Sequence, residues 1–369
     1  MKLENKNIII SGGGTGGHLF PALAIGNSLS NKGYSITYIG SVHGVESNYF
    51  KNNNLKYKLL DIYGINRNPN LKNIYKNILL PIKILKSYFK ARKIIKKFNP
   101  KIIIGTGGYS SGLPLLAGLH LGVPILIQEQ NSIPGLVTRK LYKKAKKVCL
   151  AYENTKISNV VKNITVTGNP IRENLQSIDI KDAKSKIGLS KKKKTIFILG
   201  GSQGSVAINK HIIKNIIFYL NNDYQIIWQC GEKNIKNIPK SIQTHKNIIL
   251  KTFFNDMSLT YSASDIIISR AGALAISELL YLNKAFILIP YKYAADNHQN
   301  KNASNIEENK ACIKINENEL DTGKLETEIK KILNNKNLLD ELEMNAQKLS
   351  KPNATQNIIK EIEEIVKND

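Results

Sequence analysis

Arginine is scarce in this sequence. Only five of its 54 basic residues are arginine (Arg67, Arg92, Arg139, Arg172 and Arg270), leaving 54 − 5 = 49 lysines. A nucleic-acid groove draws on arginine forks and interleaved aromatics. Aromatics make up 7% of the chain, with a single tryptophan. The net charge of +26 therefore does not point to a nucleic-acid partner. Lys, Asn and Ile dominate throughout, as in the drift of an A/T-rich genome. The three cysteines, Cys149, Cys230 and Cys312, lie about eighty residues apart. That spacing excludes a disulfide framework or a cysteine metal cluster and favours a reducing compartment.

Other absences narrow the class further. Charged Lys2, Glu4 and Lys6 lead straight into an apolar strand, so no signal peptide is expected. The uncharged run Leu113–Gln128 is broken by Gly118, His120, Gly122 and Pro124 and does not suit a bilayer span. No G-x-x-x-x-G-K-[ST] occurs, which argues against a P-loop nucleotidase, and no D-x-D metal signature occurs, so no metal or cofactor is expected. Acidic residues are missing between Ile62 and Gln128, where eleven Lys or Arg stand.

What is present is a repeated device of strand, glycine loop and helix. Ile8–Ile10 reads as a buried parallel strand, followed by S-G-G-G-T-G-G-H and an apolar helical run. Such a loop presents converging N–H groups and a helix N-terminus to an anion. Gly12, Gly14 and Gly17 match the dinucleotide fingerprint, but the second strand (Ser35–Ile39) ends in Gly40 and Ser41 rather than the acid that would hold a ribose. Lys101–Gly108 repeats the device, and Ile125–Asn131 is a strand ending in polar Glu129, Gln130 and Asn131. Since ligands of open α/β sheets sit beyond the carboxyl ends of strands, these three residues should face the same crevice as both glycine loops. Gly13, Gly14, Gly105, Thr106, Gly107 and Gly108 are the candidate cradle for a phosphate, and His18 and then Glu129 are the candidate general bases.

Between these devices, Leu71–Phe98 carries Leu71, Ile74, Ile78, Ile82, Leu85 and Phe89 at helical steps, read as two helices meeting at Pro81. Its surrounding lysines fit either a solvated back of a core helix or a surface for anionic lipid. The strand–loop–helix device restarts at Thr195–Leu199, Gly200–Ser205 and Val206, opening a second α/β domain with further strands at 225–229, 247–251, 265–269 and 285–290. The expected domains are 1–166, with helix 352–369 packing back on it, and 167–351. Glu278 is placed to take ribose hydroxyls, and the polar loop Tyr291–Gln299 suits a sugar.

Seven motifs in order, G-G-T-G-G-H (13–18), G-T-G-G-Y (105–109), E-Q-N (129–131), G-N-P-I-R (168–172), G-G-S-Q-G-S (200–205), R-A-G-A-L-A-I-S-E (270–278) and A-A-D-N-H-Q (294–299), resemble the MurG family of bacterial peptidoglycan enzymes. The resemblance implies a GT-B architecture, two Rossmann-like domains with parallel sheets facing across a cleft. It implies an inverting transfer of GlcNAc from UDP-GlcNAc to the lipid-linked muramyl-pentapeptide acceptor at an anionic membrane surface. The place implied is the cytoplasmic face of the plasma membrane, held peripherally, with cell-wall-synthesis proteins left open as partners. It further implies that Ser202 and Arg172 meet the donor, the Phe254 backbone meets uracil, and Ala273, Leu274, Ala275, Ile276, Ser277 and Glu278 meet the nucleotide. Gln299 would meet the GlcNAc hydroxyls, and Thr15, Gly16, Gly17 and Asn131 would complete the site. An NAD(P)-dependent oxidoreductase and a GT-B nucleotide-sugar epimerase are the alternatives.

Overall fold

The computed structural model describes residues 5–64, 71–155, 157, 162–201 and 203–368, with the side chains of 71–77 and of 368 outside the description. The chain forms two compact units, Met1–Arg172 with Asn353–Asp369, and Glu173–Pro352. The break falls at Arg172/Glu173, past the turn Thr167–Pro170 where the sequence reading ended the first domain.

The first unit holds strands β1 (Asn7–Ser11), β2 (Ser35–Ser41), β3 (Tyr57–Leu60), β4 (Ile102–Gly105), β5 (Ile125–Glu129), β6 (Lys147–Leu150) and β7 (Ile164–Val166). They pair in parallel in the order β3-β2-β1-β4-β5-β6-β7. Runs such as Ile8–Ile10 and Ile102–Ile104 are buried throughout, because helices cover both faces of a parallel sheet and leave no polar side. Five helices of this unit matter below: α1 (Gly16–Asn31), α2 (Val45–Asn52), α3 (Leu71–Phe98), α4 (Tyr109–Leu119) and α5 (Leu136–Leu141). The C-terminal helix Ala354–Asn368 returns to this unit and buries Ile358, Ile359 and Ile362 against Ile8, Leu23 and Ile25. Burial of each isoleucine contributes about 1.5–3 kcal/mol. Lys32–Glu363 (2.8 Å) and Lys147–Glu361 (2.7 Å) fix its register.

The second unit repeats the plan with β8 (Thr195–Leu199), β9 (Gln225–Gln229), β10 (Ile248–Lys251), β11 (Ile266–Ser269), β12 (Phe286–Leu288) and β13 (Ile313–Lys314), in the order β10-β9-β8-β11-β12-β13. In each sheet the first strand in sequence lies between the second and a later one: β1 between β2 and β4, β8 between β9 and β11. Those are the topological switch points, where loops leave in opposite directions and a crevice opens.

One expectation needs correction and one open choice is decided. α3 runs unbroken through Pro81 instead of splitting there. Proline removes one N–H and crowds one carbonyl of a 28-residue helix, while Ala91 and Ile95, fully buried further along, anchor it to the sheet. Its apolar stripe also faces outward: Ile78, Ile82, Leu85 and Phe89 are 55–66% exposed. The buried side is instead Leu80, Ser87, Ala91 and Ile95. An ordinary core-facing stripe is thereby excluded.

Candidate active site

The loop from β1 to α1 ends in an uncapped helix start. Thr15 is the extended N-cap residue of α1, its side chain makes no cap bond, and the first turn carries no acid. Thr15 and Gly17 are exposed and Gly16 partly so, which leaves this helix start open to an anion. The turn just before it is differently occupied. Glu46, in the first turn of α2, is fully buried. Its carboxylate accepts the Gly14 N–H at 2.7 Å and the Ser41 N–H at 2.9 Å. A Cβ at Gly13, Gly40 or Gly44 would come within 2.2, 2.6 or 2.0 Å of that side chain, so three glycines make its room. Of the expected phosphate cradle, the Gly14 donor is spent on an internal anion. Sequence reasoning passed over Glu46 because a first-turn acid reads as an ordinary helix-start residue.

His18 lies against the loop that follows β4. Its Nδ1 is 3.1 Å from the Thr106 carbonyl and 2.9 Å from Gln130 Oε1. The Thr106 hydroxyl donates to the His18 carbonyl at 2.7 Å, and the Thr106 N–H to the Ser11 carbonyl at 2.9 Å. Gly107 has a φ of +91°, and a Cβ there would meet Nδ1 at 2.7 Å. Only glycine satisfies both the backbone and the imidazole. A Cβ on Gly108 would meet the Gly13 carbonyl at 2.2 Å, so the two glycine loops are in backbone contact. Gly105 closes β4, packed on Leu115 of α4. Thr106, Gly107 and Gly108 thus form the wall that holds His18.

Glu129, the second candidate base, is buried and committed to structure. Its carboxylate accepts from the Thr138 hydroxyl (2.6 Å), the Gly135 N–H (2.9 Å) and the Asn131 N–H (3.1 Å). Three donors on one carboxylate hold it in place, tying the 131–135 turn and Asn131 to α5. That arrangement corrects the expectation of a second base. Arg172 lies with its guanidinium 4.8 Å from the Phe20 ring of α1, a cation–π distance.

The second unit has a buried cation beside its glycine loop. The Gly200–Ser205 loop passes through Gly204, where φ is +75° and a Cβ would meet the Cys230 carbonyl at 1.8 Å. Ser202 lies outside the described residues. Ser205 caps the helix Val206–Lys214 through the Ile208 N–H. Its hydroxyl also accepts from Arg270 at 2.6 Å. Arg270, just past the end of β11, donates to the Ile289 and Pro290 carbonyls (3.1 and 3.2 Å), pairs with Glu317, and covers the Tyr291 ring at 5.4 Å. Burial pulls this guanidinium below its ordinary pKa, and Glu317 beside it works in the opposite direction. No role for Arg270 follows from the sequence, although it opens a quoted motif; its partners lie 19 to 65 residues away.

The remaining donor-side candidates belong to this same unit. Gln229, ending β9, donates to the Gly201 carbonyl and accepts the Phe254 N–H, both at 3.0 Å. Ala273, Leu274, Ala275, Ile276 and Ser277 form the first turns of the helix Ala273–Tyr281, entered from Gly272. Buried Glu278 accepts from the Tyr261 hydroxyl at 2.9 Å. Gln299 accepts the Tyr291 N–H at 2.9 Å, which fixes the loop that Arg270 braces from beneath. Among the described residues, no group of three or more His, Cys, Asp or Glu could hold a metal ion.

Two parallel α/β units, each with paired loops at its switch point, define the class: a GT-B glycosyltransferase fold. Residues 8–150 match the glycosyltransferase family 28 N-terminal domain and residues 195–362 its C-terminal domain. A relative from Flavobacterium psychrophilum, named UDP-N-acetylglucosamine--N-acetylmuramyl-(pentapeptide) pyrophosphoryl-undecaprenol N-acetylglucosamine transferase, is 39% identical over 368 residues, 99% of each chain. One of the same name from Christiangramia forsetii is 38% identical over 369 residues, again 99% of each. The crystal structure of Acinetobacter baumannii MurG superposes with a TM-score of 0.76 at 29% identity, covering 97% of this chain and 99% of that one. The chain belongs to the MurG family of glycosyltransferase family 28.

Proposed function

We propose that this chain moves GlcNAc from UDP-GlcNAc to the C4 hydroxyl of the muramyl sugar in undecaprenyl-pyrophosphoryl-MurNAc-pentapeptide, the step from lipid I to lipid II in peptidoglycan synthesis. The observation that carries this reading is end-to-end similarity to relatives named for that transfer. The site supplies parts that suit it. His18 acts as general base through Nε2, taking the proton of the C4 hydroxyl. The oxygen attacks C1 of GlcNAc, and the bond from C1 to the β-phosphate oxygen breaks with its electron pair leaving on UDP, so the α-linked donor becomes a β-glycoside.

Negative charge grows on the departing diphosphate. It is met by backbone N–H groups of the Gly200–Ser205 loop and the start of the helix Val206–Lys214, with Ser202 and Arg172. Glu278, oriented by Tyr261, takes the ribose hydroxyls. The Phe254 N–H is already given to Gln229, so uracil N3–H uses its carbonyl. Ala273–Ser277 line the nucleotide and Gln299 the GlcNAc hydroxyls. On the acceptor side the diphosphate lies at Thr15, Gly16 and Gly17 and along Gly107 and Gly108, with Asn131 completing the site.

The outward stripe of α3, with exposed Lys86, Lys93, Lys96 and Lys97 on the same helix, supports peripheral attachment to an anionic membrane face. No described helix is long and apolar enough to cross a membrane. Replacing Ile82, Leu85 and Phe89 with Ser should abolish binding to phosphatidylglycerol vesicles; unchanged binding overturns the attachment. The transfer itself is tested with UDP-GlcNAc and a soluble lipid I analogue. UDP release that requires the acceptor, and fails in His18→Ala, is the expected result. Acceptor-independent release or an epimerised sugar nucleotide would defeat the reading.

A further inference from the structure

Gln130 touches His18 through its side-chain oxygen. We infer that Gln130 is a positioning residue that locks the His18 imidazole in its Nδ1–H tautomer and so leaves the lone pair on Nε2. The inference rests on the reading of His18 as the base. It follows from a closed chain of buried amides whose orientations are all determined. Asn169 Nδ2 points to the Gln130 main-chain carbonyl at 3.1 Å, so the amide end of Asn169 is fixed by a group that can only accept. Asn169 Oδ1 must then face Gln128 Nε2, at 3.0 Å. That turns Gln128 Oε1 toward Gln130 Nε2, which bonds to it. Gln130 Nε2 also donates to the Thr106 carbonyl at 2.7 Å and lies 3.2 Å from the Gln128 carbonyl. Flipping any one amide would set oxygen against oxygen.

Gln130 therefore presents Oε1, an acceptor, to His18 Nδ1 at 2.9 Å, and the Thr106 carbonyl presents a second at 3.1 Å. Two acceptors at one ring nitrogen require the proton there. All three amide side chains are buried, so water is excluded from the chain and the preference is not diluted. Among the described residues, the imidazole's hydrogen-bond partners are both neutral. The nearby titratable groups are committed elsewhere: Glu46 to Gly14 and Ser41, Glu129 to the 131–135 turn. A neutral orienter fixes the tautomer without a negative charge that would hold the imidazolium. The base can then accept the hydroxyl proton and release it afterwards.

The experiment is nitrogen NMR of the full-length enzyme labelled at histidine, with His18 assigned by its loss in His18→Ala. The expected spectrum shows protonated Nδ1 and unprotonated Nε2 at alkaline pH. Gln130→Met should broaden or mix the two tautomers and lower kcat about 10–100-fold, with KM for UDP-GlcNAc unchanged as evidence that the donor unit is intact. Gln130→Glu should keep the tautomer and move the acid limb of the kcat profile up by about one pH unit or more, the size of shift an adjacent carboxylate imposes. A native Nε2–H tautomer, or a Gln130→Met spectrum identical to wild type, overturns the inference. A changed tautomer with unchanged kcat instead counts against His18 as base and leaves the tautomer assignment standing.

Discussion

The glycine loops after β1 and after β8 look alike in sequence, yet each is braced by a side chain of opposite charge. Under the first is Glu46, accepting the Gly14 and Ser41 N–H groups. Under the second is Arg270, donating to Ser205 and to the carbonyls that follow β12. The strand–loop–helix geometry gives both loops a positive backbone field. The buried charge decides how much of that field a ligand meets. The second loop also gives a donor away, the Gly204 N–H to the Gly201 carbonyl at 3.0 Å, but it has a cation beside it, which suits a leaving diphosphate. The first spends its Gly14 donor internally and keeps an exposed helix start at Thr15–Gly17, which suits contact at one edge of an anion. Similar motifs therefore do not imply equal sites.

The largest effect should come from removing the cation. Arg270→Ala leaves Glu317, whose side chain is 8% exposed, without its counter-charge. Breaking a buried pair from one side costs about 3–5 kcal/mol, read from urea unfolding. KM for UDP-GlcNAc should rise at least tenfold while KM for the acceptor stays level. Arg270→Lys should rescue little, because an ammonium cannot reach Ser205, Ile289, Pro290 and Glu317 from one position. Wild-type donor kinetics in Arg270→Ala would dissolve the contrast between the loops.

Removing the anion should come next. Glu46→Ala strands the buried Ser41 N–H, at about 1–3 kcal/mol, and the part-buried Gly14 N–H, at less, so a loss of about 2–4 kcal/mol is expected in the same assay. Here the acceptor KM should rise and the donor KM hold, the mirror image of Arg270. Glu46→Gln, which turns one acceptor oxygen into a donor, should fall between. Tighter acceptor binding in Glu46→Ala would show that the carboxylate competes with the diphosphate for Gly14 instead of supporting the turn.

The contrast also marks what a sequence can disclose. Strands such as Ile8–Ile10 and Thr195–Leu199 were legible because a fully buried parallel strand must be apolar along its whole length. The loops were legible because positive φ and close backbone approach demand glycine. Local pattern carries both. Glu46, Arg270 and Gln130 were not legible in role, since what each does depends on partners 32, 65 and 112 residues away. Glu129 misled for the same reason: a polar strand end predicts a crevice, but not that Gly135 and Thr138 already occupy the carboxylate. The α3 stripe gave the right period and left its face open, because periodicity alone cannot tell a core from a surface.

The smallest effects test the two helix starts directly. Ser205 caps its helix through the Ile208 N–H and accepts from Arg270, whereas Thr15 is an N-cap residue whose side chain makes no cap bond. Ser205→Ala should therefore cost about 1–2 kcal/mol, the usual loss for a working cap. Thr15→Ala should cost under about 0.5 kcal/mol, as for an exposed position without such a bond. If the Thr15 hydroxyl instead serves substrate, Thr15→Ala should lower kcat/KM for the acceptor with its unfolding midpoint unmoved. Equal losses of stability at both positions would mean that Thr15 caps α1 in solution. The open helix start, and with it the difference between the two loops, would then disappear.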